Sequence, residues 1–375
     1  MQLATRMDRL VSSPVRDLLA LTEQPDVISF AGGLPAQDSF PSRASLDIPE
    51  SALQYGASEG DWPLRERIAA LVCGRGLQCD PEHVIVLSGS QQGIDLVAKL
   101  LVDTGTPVAV ESPTYLAALQ VFSLFGAHYR PFAPGQAPPS ANLVYLNPTF
   151  QNPTGHCYST AEREHMRVEC ARHQAVLFED DPYHDLCFED CDRAPVVSGY
   201  AGDWVYQGSF SKSLAPGMRL GYLVASENLV QPLIRLKQAA DLHSNRLAQA
   251  WVMHLLEAEH TAERVCRLQD HYRARRDHFG SVLDAHFGDL ADWSSPEGGL
   301  FFWLTLRDRH ADTTAILEAA LAEKVVFMPG RPFYPDTRHA DANRTLRLNF
   351  SNATPDDVDR GLAVLAPLIR SAVQG

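Results

Sequence analysis

The sequence predicts an α/β protein in which a large, doubly wound, mostly parallel sheet is accompanied by a smaller α+β domain. From about residue 84, short β-branched runs alternate with segments of helical periodicity, which is typical of strands joined by crossover helices. The strand segments are apolar without period-two alternation, so helices should cover both faces of the sheet. After about residue 275 this alternation stops, which indicates a second, smaller domain.

The elements follow one another in a clear order. The alternating block predicts the strand HVIVLSGS, the helix QQGIDLVAKLLV, the strand PVAVES, the helix TYLAALQVFSLF, the strand ANLVYL, the helix STAEREHMRVECARH and the strands AVLFED, WVYQGS and RLGYLVA. A long charged helix over about 259–284 follows, then GGLFFWLTL, a helix near 312–323, VVFMPG, TLRLNFS and a final helix from Pro355. We place a large domain at residues 46–275 and a small domain at residues 1–45 together with 276–375. The Pro-rich segment APGQAPPSA is predicted to be a surface loop.

Composition and charge exclude several classes of function. Of the 375 residues, 45% are hydrophobic and 21% are charged, as expected of a globular protein with a substantial core. The formal net charge of −14 opposes a nucleic-acid-binding surface, and no polybasic segment is present to bind an anionic membrane. No apolar stretch is as long as a transmembrane helix, and Asp8 and Arg9 stand where a signal peptide needs apolar residues. We therefore expect a cytoplasmic protein.

Cysteine usage agrees with this compartment. Seven cysteines are scattered without a C-x-x-C pair, so neither a zinc knuckle nor a redox dithiol is predicted, and we expect seven free thiols. The carboxylates of FEDDPYHDL lie close in sequence to His184 and Cys187, but their spacing matches no familiar metal site. We expect no metal.

Four motifs follow strands of the predicted sheet, at the edge where α/β proteins bind their ligands. SGSQQG precedes a helix, so its amides and the helix dipole favour a phosphate, with Ser90 and Gln91 as contacts. Ser90 could instead simply cap the helix. NPTFQNPTG forms a rigid loop in which the Asn152 amide could donate a hydrogen bond, or the loop could be only a structural turn.

The other two motifs carry a carboxylate and an amine. Asp180 ends the apolar run AVLF, so it is either a buried carboxylate that needs a partner such as a heterocyclic cation, or part of a solvated acidic loop. Tyr183 could point into the same pocket. In GSFSKSLAPGMRLGY, Lys212 is one of only four lysines and could act as a Schiff-base amine, with Arg219 close behind. The S-x-x-K pattern there also matches serine hydrolases, but no K-T-G element accompanies it.

Together these motifs resemble the fold-type I pyridoxal-phosphate aminotransferases of class I/II. Within them the chain is most similar to the group of 2-aminoadipate and kynurenine aminotransferases and the aminotransferase-like domains of MocR regulators. The resemblance covers nearly the whole chain and rests on ten segments in the family's order: SFAGGLPAQDSFP, QYGASEGDWPLRE, SGSQQGIDL, ESPTYLAALQ, NPTFQNPTG, EDDPY, GSFSKSLAPGMRLGY, PEGGLFFWL, VFMPGRPF and LRLNFS. It implies pyridoxal 5′-phosphate as cofactor and ping-pong transfer of an amino group from an L-amino acid to a 2-oxo acid, 2-oxoglutarate by default. It also implies a homodimer with shared active sites.

The resemblance assigns roles to individual residues around the cofactor. Lys212 matches the Schiff-base lysine, which also moves the substrate proton, and Asp180 matches the carboxylate that pairs with the pyridine nitrogen. Asn152 and Tyr183 match the pair that hydrogen-bonds the phenolate oxygen, and Tyr115 matches the aromatic residue stacked on the ring. The phosphate contacts that the resemblance implies are Ser90, Gln91, Ser209, Arg219 and Ser211, with Tyr55 reaching the phosphate of the neighbouring subunit.

The substrate contacts are carried over in the same way. Arg347 matches the arginine that binds the substrate α-carboxylate, and Asn152 is placed beside it. Gly33 belongs to the GGLP segment that closes over the substrate, and Arg16 matches an N-terminal helix position used for substrate side chains. Tyr55 and Arg16 could also be ordinary surface residues. Arg16 would favour an acidic or long polar substrate, whereas an apolar one could be favoured by aromatics that could equally belong to the core, namely Phe30, Phe301, Phe302 and Trp303.

Two other functions are compatible with the same residues. A pyridoxal-phosphate-dependent lyase, decarboxylase or racemase would use the same lysine, aspartate, tyrosine and arginine, because geometry decides which substrate bond breaks. A non-enzymatic MocR-like effector domain is the alternative from another class. The SFAGGLP motif begins close to the N-terminus and leaves no room for a winged helix, so we expect the enzyme.

Overall fold

The secondary structure follows the predicted alternation of strands and helices. A computed structural model describes residues 3–10, 26–41, 49–189, 193–257 and 261–374. The helices of these residues are α1 (Trp62–Gly74), α2 (Ser90–Leu101), α3 (Leu116–Phe125), α4 (Thr160–His173), α5 (Glu227–Asp241), α6 (Arg246–Glu257), α7 (Thr261–Phe287), α8 (Thr313–Ala322) and α9 (Pro355–Gln374). Their strands are β1 (Ile28–Ser29), β2 (Val84–Leu87), β3 (Pro107–Glu111), β4 (His128–Phe132), β5 (Leu143–Leu146), β6 (Val176–Asp181), β7 (Trp204–Ser209), β8 (Gly221–Ala225), β9 (Ala291–Asp292), β10 (Phe301–Leu306), β11 (Val325–Val326), β12 (Met328–Pro329) and β13 (Thr345–Asn349).

A seven-stranded sheet forms the large part of the structure. Its strands lie in the order β2-β8-β7-β6-β5-β3-β4, with β8 antiparallel to both neighbours and every other pair parallel. The predicted doubly wound, mostly parallel sheet is therefore confirmed. Strands β2 and β5 are buried at every position, because helices cover both faces of the sheet.

Alternate residues of one strand contact the two helical layers. Val84 and Val86 join an apolar cluster with α1, α4 and α6, whereas Ile85 and Leu87 join a cluster with α2, α3 and α5. The parallel strands β3, β5, β6 and β7 end at one edge of the sheet, and the loops that follow them carry most of the motifs singled out above. This edge therefore collects their polar side chains.

A four-stranded antiparallel sheet, in the order β12-β13-β10-β9, forms the smaller C-terminal part. Strand β1 of the N-terminal segment pairs in parallel with β11. Phe302 of β10 is fully buried and stacks on Phe279 of α7 with ring centroids 5.4 Å apart. Phe30 and Phe301 belong to the same core, and Trp303 packs against it. The domain boundaries placed at residues 45 and 275 stay a prediction.

Six of these strands and helices have no counterpart in the sequence-based prediction, namely β1, β4, β9, α1, α5 and α6. Strand β4 lies at the sheet edge, and four of its five residues are partly or fully exposed, so it lacks the apolar run that marks a strand. Helix α1 buries Leu64, Ile68 and Val72 at a helical spacing that the sequence does contain. The long charged helix is α7, which extends to Phe287. The Pro-rich segment connects β4 to β5, as expected of a loop.

The cysteines differ from the expectation. Cys187 is disulfide-bonded, so the prediction of seven free thiols is wrong for this residue. The free cysteines of the described residues are Cys73, Cys79, Cys157, Cys170 and Cys266. Because disulfides are uncommon in reducing compartments, cysteine usage no longer argues for the cytoplasm. Across the described part of the chain, no helix combines the length and the apolar character needed to cross a membrane.

Candidate active site

A pocket of about 410 Å³ lies at the edge where the parallel strands end. It collects residues that follow five strands of the large sheet (β2, β3, β5, β6 and β7) and Arg347 from β13 of the small one. The predicted site residues that line it are Gly33, Ser90, Gln91, Tyr115, Asn152, Asp180, Tyr183, Ser209, Ser211, Lys212, Arg219 and Arg347. The fold therefore brings together segments that are separated by more than 300 residues in the sequence.

Tyr55 is a predicted site residue that does not line this pocket. Tyr55 is 76% exposed, and its ring lies edge-on to that of His243 with centroids 5.7 Å apart. Its predicted contact with the phosphate of a neighbouring subunit stays a prediction. Arg16 lies outside the described residues, so its predicted contact with the substrate side chain also stays a prediction.

Asp180 lies at the end of β6 with only 4% of its surface exposed, so the alternative of a solvated acidic loop is wrong. Its Oδ1 accepts a hydrogen bond from Gln207 Nε2 at 2.7 Å, and its Oδ2 accepts one from the Tyr145 hydroxyl at 2.8 Å. Burial nevertheless raises the pKa of Asp180 to about 6, because two neutral donors only partly replace the lost water. A cationic ligand in the pocket would stabilise the ionised carboxylate.

Three residues that hold Asp180 are absent from the sequence-based prediction. Tyr145 and Gln207 lie within buried strands, so nothing in the sequence marks their side chains as partners of Asp180. Asn147 connects two site residues: its Nδ2 donates to the Asp180 carbonyl at 2.6 Å, and its Oδ1 accepts from the Asn152 amide at 2.7 Å. Asn147 does carry a signal, because it opens the NPTFQNPTG motif.

Lys212 follows β7, and its Nζ donates to the Gly33 carbonyl at 2.9 Å. Desolvation in the pocket, together with the positive charges of Arg347 and Arg219, lowers the pKa of Lys212 to about 8. At neutral pH a larger fraction of this amine is neutral than in an exposed lysine. It is therefore a better nucleophile toward a carbonyl carbon.

The N-terminus of α2 forms an anion-binding end of the pocket. Gly89, and not Ser90, is the N-cap, and no side chain caps the helix, so the simple capping role considered for Ser90 is wrong. Gly89 has a φ of +85°, and a Cβ there would lie 2.4 Å from Nη2 of Arg219, so the guanidinium packs directly on the turn. Ser209 Oγ accepts the Ser211 amide at 3.1 Å beside it. Helix amides and a guanidinium in one place favour a phosphate.

Arg347 places a second guanidinium in the lining of the pocket, and only 3% of its surface is exposed. Its two terminal nitrogens donate to Asn152 Oδ1 and to the Ala31 carbonyl, both at 2.6 Å. Its guanidinium lies 4.2 Å from the Phe301 ring and 5.0 Å from the Phe333 ring, and its Nε has no partner within the described residues. Burial lowers the pKa of Arg347 to about 10. A buried cation with neutral partners favours binding of a carboxylate.

Two phenols lie between these charged groups. Burial raises the pKa of Tyr115 to about 12 and raises that of Tyr183 further above its ordinary value. Both phenols therefore keep their protons at physiological pH. The Tyr183 hydroxyl lies 3.5 Å from Asn152 Nδ2, so the two groups can donate to one ligand oxygen between them.

The donor set fits pyridoxal phosphate. The cradle at α2 and Arg219 suits its phosphate, the buried Asp180 suits its pyridine nitrogen, and the amine of Lys212 suits its aldehyde. Asn152 and Tyr183 suit its phenolic oxygen. Arg347 is then left to bind an anionic group of a second molecule, the substrate.

A family model described as aminotransferase class I and II matches residues 25–365 of the chain. The chain is 34% identical to the 2-aminoadipate transaminase of Thermus thermophilus over 96% of this chain and 95% of that protein. It is 32% identical to the aromatic-amino-acid aminotransferase 1 of Thermococcus litoralis over 97% and 93% of the two chains.

Solved structures agree with the sequence comparison. The kynurenine aminotransferase of Pyrococcus horikoshii superposes with a TM-score of 0.90 at 30% identity, covering 100% of this chain and 98% of that one. The α-aminoadipate aminotransferase LysN of Thermus thermophilus, complexed with N-(5′-phosphopyridoxyl)-L-leucine, has a TM-score of 0.88 at 32% identity, covering 99% and 98%.

The support of Asp180 depends on a glycine inside α2. A Cβ at Gly93 would lie 1.9 Å from Oε1 of Gln207, the residue that donates to Asp180. Helix propensity favours alanine over glycine by about 1 kcal/mol. We nevertheless expect Gly93→Ala to lower the free energy of unfolding of the apoprotein by about 1 to 3 kcal/mol, because the core is overpacked. Urea unfolding followed by circular dichroism measures the change.

The matched control is Gly74→Ala, also in a helix, where an added Cβ has no atom within 4 Å. This variant should unfold at the same or a higher urea concentration than the wild type. Equal stability of the two variants would contradict the role assigned to Gly93.

Proposed function

Because the chain belongs to the class I and II aminotransferases, we propose that it moves the amino group of an L-amino acid to 2-oxoglutarate in two separate half-reactions. It is a pyridoxal-phosphate-dependent transaminase, as its family and relatives are. In the first half-reaction the amino acid leaves as a 2-oxo acid while the amino group stays with the enzyme. In the second, a different 2-oxo acid takes that amino group. The observation that carries this proposal is Arg347, a buried guanidinium with neutral partners that lines the same pocket as Lys212.

Each residue of the pocket has a task in this proposal. When bound, pyridoxal phosphate supplies an electron-withdrawing ring that stabilises negative charge on the substrate α-carbon. Asp180 holds the pyridine nitrogen in its protonated form, and the N-terminal turn of α2 with Arg219 binds the phosphate. Arg347 orients the substrate by its α-carboxylate, and Lys212 removes the α-proton as a general base.

The donor is proposed to be an L-amino acid with an acidic or an aromatic side chain. Relatives named for 2-aminoadipate and for aromatic amino acids support this range. The default is glutamate or another amino acid as donor, with 2-oxoglutarate as acceptor; net transfer requires a donor other than glutamate or an acceptor other than 2-oxoglutarate. We also propose that Arg16 contacts the side chain of the substrate and that Gly33 belongs to the segment that closes over the substrate. We further propose a cytoplasmic location, where these substrates are found.

We propose a homodimer in which each subunit completes the other's site. Leu53 is 73% exposed and Tyr55 is 76% exposed, and Leu242 and Leu247 of the adjoining α5–α6 region are also exposed. Arg246 holds this surface together by hydrogen bonds to the backbone of residues 51 and 54. A concentration of exposed apolar side chains favours a protein interface. Tyr55 would reach the phosphate in the partner subunit from it.

The visible absorption of the purified enzyme tests the transamination. We expect a yellow protein whose colour fades on addition of L-glutamate and returns on addition of 2-oxoglutarate, since the two half-reactions are separate. A panel of amino acids can be ranked by the rate of fading. A yellow protein that no amino acid bleaches would favour a lyase or decarboxylase, and a protein that cannot be loaded with pyridoxal phosphate would overturn the assignment of Lys212.

Arg347→Lys keeps the positive charge but removes the planar fork. We expect kcat/KM for the L-amino acid to fall roughly a hundredfold, because two parallel hydrogen bonds to the carboxylate are lost. The corresponding amine without a carboxylate should react equally slowly with both enzymes. Arg344→Lys is the control, since Arg344 pairs with Asp341 and does not line the pocket. Loss of the same factor on the amine would contradict carboxylate binding by Arg347.

The pKa of Lys212 predicts how the apoenzyme captures its cofactor. Only the neutral amine attacks the aldehyde, so the capture rate should rise with pH and level off above about pH 8. Stopped-flow absorbance after mixing apoenzyme with pyridoxal phosphate at a series of pH values measures the profile. In Arg347→Gln the midpoint should move upward, because one of the charges that lower the pKa is removed. A wild-type rate that still rises at about pH 10 would indicate an ordinary lysine.

A further inference from the structure

Lys237 is a fully buried lysine that does not line the active-site pocket. Its ammonium donates to Asp241 Oδ1 at 2.9 Å, to Ser244 Oγ at 3.0 Å and to Gln92 Oε1 at 3.1 Å. These contacts use all three donors of the ammonium group. A buried charge is retained only where such partners compensate for the lost water, so this arrangement is specific. We call Ser88, Gln92, Lys237, Asp241 and Ser244 the Lys237 cluster.

The Lys237 cluster encloses the turn at the start of α2 from both sides. Ser88 precedes the turn and Gln92 follows it. Gln92 Oε1 accepts the Ser88 amide at 2.8 Å, and Gln92 Nε2 donates to Asp241 Oδ2 at 2.7 Å. Ser88 Oγ donates to the same Asp241 oxygen at 2.9 Å. Ser90 and Gln91, two of the proposed phosphate contacts, lie between these fixed residues.

The same cluster holds the junction between α5 and α6. Ser244 Oγ donates to the Val86 carbonyl of β2 at 3.1 Å, which ties the junction to the strand that leads into the turn. Leu242 has a φ of +66° there, a conformation that costs energy for a branched residue and needs support from its surroundings. His243 follows and lies against Tyr55. The cluster is therefore placed between two groups assigned to phosphate binding, the turn and Tyr55.

We propose that Lys237 is a positioning residue for cofactor phosphate binding, which acts through Gln92 and Asp241 by fixing the Ser88–Gln92 turn in its phosphate-binding form. This inference rests on the proposed function, in which Ser90 and Gln91 contact the phosphate. It predicts a specific change in ligand affinity. Loss of Lys237 must weaken ligands that carry the phosphate and spare ligands that lack it.

Lys237→Met tests this prediction with two ligands, pyridoxal phosphate and pyridoxal. Each is titrated into the apoenzyme and followed by absorbance. We expect the Kd for pyridoxal phosphate to rise about tenfold, the cost of roughly one well-placed charged hydrogen bond, and the Kd for pyridoxal to stay within about twofold. Lys99→Met is the matched control, because Lys99 is an exposed lysine of α2 paired with Asp95. It should leave both Kd values unchanged.

Ser88→Ala carries the test if Lys237→Met does not fold, since it removes only the hydroxyl contacts to Asp241 and Ser244. We expect about a threefold rise in Kd for pyridoxal phosphate alone. If a cluster variant weakens both ligands by the same factor, or neither, the positioning role is overturned and Lys237 serves stability only. If the wild type itself binds pyridoxal as tightly as pyridoxal phosphate, the phosphate site in the proposed function is wrong as well.

Discussion

The burial of Asp180 is the constraint on which the rest of the site depends. A carboxylate removed from water must be held by donors, and the protein supplies Gln207 from the neighbouring strand and Tyr145 from the strand on the other side. Gln207 in turn requires a glycine in the helix above it, and Asn147 fixes the backbone of Asp180. These residues do no chemistry themselves. They hold the Asp180 carboxylate in place, and its negative charge is balanced only when a cationic ligand binds.

The pocket contains both negative and positive groups, which complement a ligand that itself carries charges of both signs. Asp180 is the buried anion, while Lys212, Arg219 and Arg347 are cations around the same 410 Å³ space. The cations repel one another. Lys212 is the group that can relieve this repulsion, because its ammonium can lose a proton whereas a guanidinium does not. A ring with a protonated nitrogen and a phosphate, joined by a substrate carboxylate, neutralises these groups together. The pocket therefore stores electrostatic energy that ligand binding releases.

The fold and the residues that line the pocket could largely be predicted from the sequence, whereas the residues that support them could not. Lys212, Asp180 and Arg347 lie in motifs with unusual composition, and parallel strands bring such motifs to one edge. Tyr145 and Gln207 do not stand out in the sequence. A polar residue in an apolar strand cannot be recognised as a partner of Asp180 until the structure shows the contact. Strand β4 was not predicted for a similar reason, because it is a strand through its pairing with β3 and not through its own hydrophobicity.

The two arginines also make the basicity of Lys212 depend on what is bound. Both guanidiniums lower its pKa in the empty pocket, so any anion that pairs with them removes part of that effect. In the proposed function the phosphate pairs with Arg219 and the substrate carboxylate with Arg347. The pKa of the amine is then lowest before either anion binds, and the amine becomes a stronger base once both have bound. Attack on the aldehyde follows binding of the phosphate alone, whereas removal of the α-proton follows binding of both anions, so the amine is the stronger base at the step that needs a base.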